Sequence, residues 1–194
     1  MVSITQGRNR VCKEGVGGLE KVYLFPYVKY SRSQIILNNN VLITYPDTVI
    51  YEFEVNNNPS VSQSQSEENG SKFYSLNISL ELENENPNTF KSILNKDYNI
   101  IVKDRNGNFR FLGNRNGLEC TSLNFGTGGS KQDFSGVKLA FDGKEEKEAY
   151  YINNLEDAGF TIYGTTPVMD VEILLQNNDF FILQNNDYLI SQNG

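Results

Sequence analysis

Tyr98-Asn99-Ile100-Ile101-Val102-Lys103-Asp104-Arg105-Asn106-Gly107-Asn108-Phe109-Arg110-Phe111-Leu112 reads as two strands folded back on one turn. Apolar, β-branched and aromatic residues flank a polar centre, and Asn-Gly at that centre predicts a type I′ hairpin turn. Downstream, Asn116-Gly117 turns the chain again into a strand over 118–125, and Gly126-Thr127-Gly128-Gly129-Ser130 is a loop. Further strands are predicted over 136–141 and 149–152. Upstream, Val22-Tyr23-Leu24-Phe25-Pro26-Tyr27-Val28 is an apolar run. In Val49-Ile50-Tyr51-Glu52-Phe53-Glu54-Val55, the residues Val49, Tyr51, Phe53 and Val55 share one face. Over 73–83, Tyr74, Leu76, Ile78, Leu80 and Leu82 form the one face fit for a core. Asn clusters such as Asn38-Asn39-Asn40 punctuate the strands, because Asn tolerates left-handed backbone.

One segment departs from this rhythm. Asn86-Pro87 sets an N-cap and a first helical position, and Phe90, Ile93 and Leu94 follow at helical spacing. The fold class is therefore mainly β, a β-sandwich or barrel with one short α-helix. The polar stretch 56–71, with Ser62, Gln63, Ser64, Gln65 and Ser66 at its centre, reads as a mobile loop or arm. The tail differs again. Leu174-Leu175-Gln176-Asn177-Asn178-Asp179-Phe180-Phe181 is echoed by Ile182-Leu183-Gln184-Asn185-Asn186-Asp187-Tyr188-Leu189, and a third copy starts at Ile190. This eight-residue repeat predicts a small β extension over 168–194, unable to bury much alone. The division is then a sandwich over 1–152, a connector over 153–167 and the repeat over 168–194.

Composition narrows the function. The chain has 194 residues, a formal charge of -7, no His and no Trp. Acidity argues against gripping phosphate, which needs clustered Lys and Arg. The lack of His removes the commonest general base and metal ligand. Cys12 and Cys120 are too few and too far apart for a disulfide scaffold and read as small packed thiols. The first residues lack a basic segment followed by an apolar run, so no signal peptide is expected, nor any membrane span.

Individual motifs lead to the same place. Gly126-Thr127-Gly128-Gly129-Ser130-Lys131 lacks the Gly before Lys and the helix that a phosphate loop requires. Asp104-Arg105-Asn106-Gly107-Asn108 begins like a calcium loop, but its sixth position is Phe109 and its twelfth Arg115. Glu145, Glu146 and Glu148 resemble an acid–base group only in composition, and solvated carboxylates after a strand explain them. The aromatic stripes are explained by core burial rather than by a sugar platform. No enzyme activity, cofactor or metal is expected.

The hairpin residues 104–113, then Asn116-Gly117-Leu118, Gly126-Thr127-Gly128, Asp133-Phe134-Ser135-Gly136-Val137-Lys138-Leu139, Phe141-Asp142-Gly143-Lys144-Glu145 and Ala149-Tyr150-Tyr151, occur in an order that resembles tail-tube-like ring proteins of crAss-like and related phages of Bacteroidota. Cys12-Lys13-Glu14-Gly15-Val16-Gly17-Gly18-Leu19-Glu20-Lys21-Val22-Tyr23-Leu24 resembles the opening of the same proteins. The resemblance spans about residues 10–152. Phe134, in place of an Asn-like turn residue, and the 29–48 segment depart from the pattern.

The resemblance implies a virion structural protein of the phage tail or head–tail connector, made in the host cytoplasm. It implies a cyclic homo-oligomer, hexamer or dodecamer, stacked on adjacent ring, tail or portal-proximal proteins, with DNA passing through its lumen unbound. Under that reading Ser62, Gln63, Ser64, Gln65, Ser66, Phe180, Phe181 and Tyr188 are the expected inter-subunit or inter-ring contacts. The alternative is a carbohydrate-binding or adhesin-like β-sandwich. A glycan-cleaving enzyme comes third.

Overall fold

The computed structural model describes residues 17–55, 59–68, 70–83, 85–130, 133–164, 173–174 and 180–181. The strands are β1 (Leu19–Pro26), β2 (Ile36–Asn38), β3 (Val41–Thr44), β4 (Thr48–Glu54), β5 (Ser60–Glu68), β6 (Ser71–Glu83), β7 (Asp97–Asp104), β8 (Phe109–Leu112), β9 (Leu118–Gly126), β10 (Gly136–Glu145), β11 (Tyr150–Ile152), β12 (Phe160–Ile162), β13 (Ile173–Leu174) and β14 (Phe180–Phe181). One short helix, α1 (Pro87–Phe90), interrupts them. The fold is mainly β, sandwich- or barrel-like, as the alternation predicts.

The strands hydrogen-bond in the order β2-β3-β11-β8-β7-β9-β10-β6-β5, while β1 joins β7 to β4 and β12 pairs with β4. Most pairs are antiparallel, but β11 runs parallel to β3 and β12 parallel to β4. β1 and β7 form the centre, with Val22 opposite Val102 and Leu24 opposite Ile100. Both strands are apolar on both faces, the pattern of strands covered on two sides. Val22, Leu24, Ile100 and Val102 enter one core with Leu76, Ile78, Leu80, Leu82, Leu139 and Phe141. Tyr23, Phe25 and Ile101 enter a second core with Tyr45, Phe111, Tyr150 and Phe160. That second core is aromatic. Tyr45 stacks on Phe160 at 5.1 Å and meets Phe111 edge-on at 5.3 Å, geometries that add to plain area burial.

The predicted helix is present, with Asn86 Oδ1 accepting from Asn88 N at 2.9 Å. It ends at the buried Phe90, and the turn that follows, rather than further helix, carries the buried Ile93 and the exposed Leu94. Cys120 is a buried free thiol, as a packed small residue should be, while Cys12 lies outside the described residues.

Three expectations change. The β7–β8 turn is not type I′: Gly107 has φ 84°, Asn106 is not left-handed, and Gly107 N donates to Asp104 O at 3.0 Å. It is a type I turn closed by a left-handed glycine. The cause is Asp104, whose Oδ1 accepts from the backbone N of Asn106 and of Asn108, each at 2.9 Å. The left-handed pair appears instead at Asn39 and Asn40, φ 46° and 65°, between β2 and β3.

The arm over 56–71 is not a loop, because residues 60–68 form β5 and pair with β6 throughout. Nor does the sandwich end at 152. Leu155, Ala158 and Phe160, expected in the connector, are buried in the second core, and β12 pairs with β4. Residues 165–167 lie outside the described residues.

Candidate assembly edge

β5 has the sequence Ser60-Val61-Ser62-Gln63-Ser64-Gln65-Ser66-Glu67-Glu68. It lacks an apolar stripe, so its own composition does not make it a strand. β6 does: Ser64 lies opposite Ser75, Gln63 opposite Leu76 and Val61 opposite Ile78. β6 is itself fixed by β10, with Leu80 opposite Leu139 and Ile78 opposite Phe141. Val61 packs against the first core, and Gln63 Oε1 accepts from Ala149 N at 2.9 Å. These two side chains share a face and orient the strand. Ser62, Ser64, Gln65 and Ser66 are exposed.

β5 ends the strand order, and no described strand pairs with its outer side. Its nine residues present about 30 Å of backbone at roughly 3.3 Å per residue. Natural edges are blunted by charge, Pro or bulges. From Ser60 to Ser66 this one carries none of these; its first charges are Glu67 and Glu68 at the hairpin tip. Such an edge accepts another strand by backbone hydrogen bonds, with side chains small enough to let it approach.

Of the predicted contacts, Ser62, Gln63, Ser64, Gln65 and Ser66 therefore sit together on one strand. Phe180 and Phe181 lie on β14, which pairs with β13 as a separate two-stranded piece. Tyr188 lies outside the described residues.

The motifs weighed for chemistry have structural work instead. Asp133 accepts from Gly129 N at 2.8 Å and Ser130 N at 2.7 Å, so its own carboxylate fills the anion position of the Gly-rich loop. Those bonds hold the Asp133 carboxyl below its ordinary range. Partial burial pushes the Asp104 carboxyl up, but the hydrogen bonds from Asn108 and Asn106 outweigh it and leave it lowered.

Glu145 is 4% exposed and accepts from Arg115 N at 3.1 Å and Asn116 N at 3.0 Å. Burial pushes its carboxyl up, against those two backbone bonds. Glu146 and Glu148 are exposed, and of the two only Glu148 borders the small cavity that Glu145 lines. Asn114, 8% exposed, lines a cavity of about 10 Å³ with Glu145, and neither of its side-chain amide atoms has a protein partner. That volume suits about one water. Among the described residues, no three His, Cys, Asp or Glu side chains converge as a metal site, and no helix is long and apolar enough to cross a membrane. No family model, curated protein or solved structure matches the chain.

Proposed function

We propose that the chain is a structural subunit that closes into a ring through β5, as part of the tail or head–tail connector of a phage. The observation that carries the reading is the long edge of β5, uncharged from Ser60 to Ser66 and unpaired on its outer side among the described residues. Ring closure needs a heterologous contact, in which one patch of each subunit meets a different patch of the next, and strand addition supplies one. The order of turn motifs resembling phage tail-tube-like proteins supports a virion setting for the ring. The charge of -7 suits a conduit, since an acidic wall lets DNA slide without adhering. The role is passive: assembly and passage, with no reaction.

Negative-stain microscopy of the purified chain tests the proposal, with rings or short tubes expected. Replacing Ser64 and Ser66 together by Lys should abolish them and leave folded single subunits, because charge blunts an edge. Rings that persist in this variant would reject β5 as the contact. Single subunits of the wild-type chain that bind glycans would replace the ring reading with an adhesin-like module.

A further inference from the structure

The β4 face that carries Val49, Tyr51, Phe53 and Val55 is buried at one end only. Val55 is 3% exposed, whereas Tyr51 and Val49 are 44% and 50% exposed. Alongside it runs an apolar groove of about 310 Å³, lined by Pro26, Phe53, Phe90 and Tyr98 together with the exposed Tyr51. Tyr163 continues this surface: its ring lies 5.1 Å from that of Tyr51 and it is 69% exposed. The backbone N of Tyr163 donates to Ile50 O at 2.8 Å, which fixes the chain beside β4. Gly164, one residue later, is the last described residue before the segment 165–172. Large exposed aromatic surfaces joined to a groove mark a place where something binds.

The sequence beyond Gly164 supplies an occupant. Ile173-Leu174-Leu175 and Phe180-Phe181-Ile182-Leu183 are apolar, and Ile173 and Leu174 pair antiparallel with Phe181 and Phe180. A hairpin this small is not stable in water alone and needs a surface to cover. The nine steps from Gly164 to Ile173 span at most about 30 Å, which keeps the hairpin within reach of its own groove. A tether of this kind gives a local concentration on the order of millimolar. The Gln-Asn-Asn-Asp segments are polar enough to stay in solvent.

We propose that the groove is the seat of the chain's own C-terminal repeat, whose first apolar hairpin, residues 173–181, lies over Tyr51, Phe53 and Phe90 of the same subunit. This seats the tail on its own subunit rather than on a neighbour. It is independent of ring closure through β5.

The chain has no Trp, so Phe181→Trp in the full-length protein gives a single reporter. Its emission should lie at short wavelength and be several-fold less quenched by acrylamide than free tryptophan, unchanged across dilution. Tyr51→Asp added at this exposed position should shift the emission to long wavelength while circular dichroism stays native. Ile43→Asp, at another exposed apolar position on β3, should not. Leu174→Trp is the second reporter if Phe181→Trp fails to fold. A solvent-like emission from both reporters would overturn the proposal. So would a short-wavelength emission indifferent to Tyr51→Asp, or one lost on dilution to single subunits, which would assign the groove to a neighbour's tail. Sedimentation on the same samples reports ring formation separately.

Discussion

At the residue scale, Glu145 marks the gap between composition and role. Beside Glu146 and Glu148 it looks like one of several solvated carboxylates, yet it is buried and holds the backbone of Arg115 and Asn116. Nothing local signals this, because the burial comes from a turn some 30 residues upstream. Tyr27 reinforces the same turn, its hydroxyl donating to Arg115 O. The folded-state pKa of Glu145 is raised above its ordinary 4.5 by burial. Folding therefore favours its protonated form, so its contribution to stability is full below pH 4.5 and is lost as pH rises through the folded value. Glu145→Gln has no such titration. The unfolding free energy of the wild type relative to this variant should fall as pH is raised from about 4 to 7. Urea titrations of both proteins across that range measure it, and a flat difference would mean that the carboxylate is solvated in the native state.

At the element scale, legibility follows the apolar pattern. β6 and β10 alternate cleanly, and the core face of β6 is where the sequence places it. β1 and β7 read as apolar runs for a reason that only the fold reveals, since each serves two cores. β5 escapes notice because Ser and Gln carry no burial signal; it is a strand through its register with β6. The residues after 152 escape for the opposite reason. Leu155, Ala158 and Phe160 are apolar but sparse: a turn carries Leu155 and Ala158, and Phe160 opens the three-residue β12. Of these, Phe160 is 1% exposed and touches Phe25, Tyr45 and Phe111. Phe160→Ala should cost about 3–5 kcal/mol by leaving a cavity among rings. Leu94→Ala, at an exposed position, should change stability by no more than about 0.5 kcal/mol. Urea midpoints compare the two, and equal effects would return 153–163 to a connector. The candidate edge was half legible: its residues stood out as polar and interfacial, but their conformation did not.

At the scale of the whole molecule, the charge of -7 acts on every copy alike. Subunits brought edge to edge repel, and salt reduces that repulsion by shortening the Debye length from about 30 Å at 0.01 M to about 10 Å at 0.1 M. Assembly through β5, uncharged from Ser60 to Ser66, should therefore strengthen as salt rises over this range. Sedimentation at fixed protein concentration would record a shift toward the ring, whereas dissociation by salt would point to ion pairs as the contact.

The two-faced position of β1 also bears on how the protein is made. Its partner β7 lies about 80 residues further along, since Val22 pairs with Val102. β4 is able to cover one edge of β1 as soon as residue 54 has been synthesised, but the other edge has to wait. Loop-closure entropy over such a separation slows the pairing, and contacts this distant in sequence fold late. During translation, Val22-Tyr23-Leu24-Phe25 thus leaves the ribosome as a sticky segment with half its seat unbuilt. The hairpin of β7 and β8, local in sequence, supplies the second edge that completes the seat of β1.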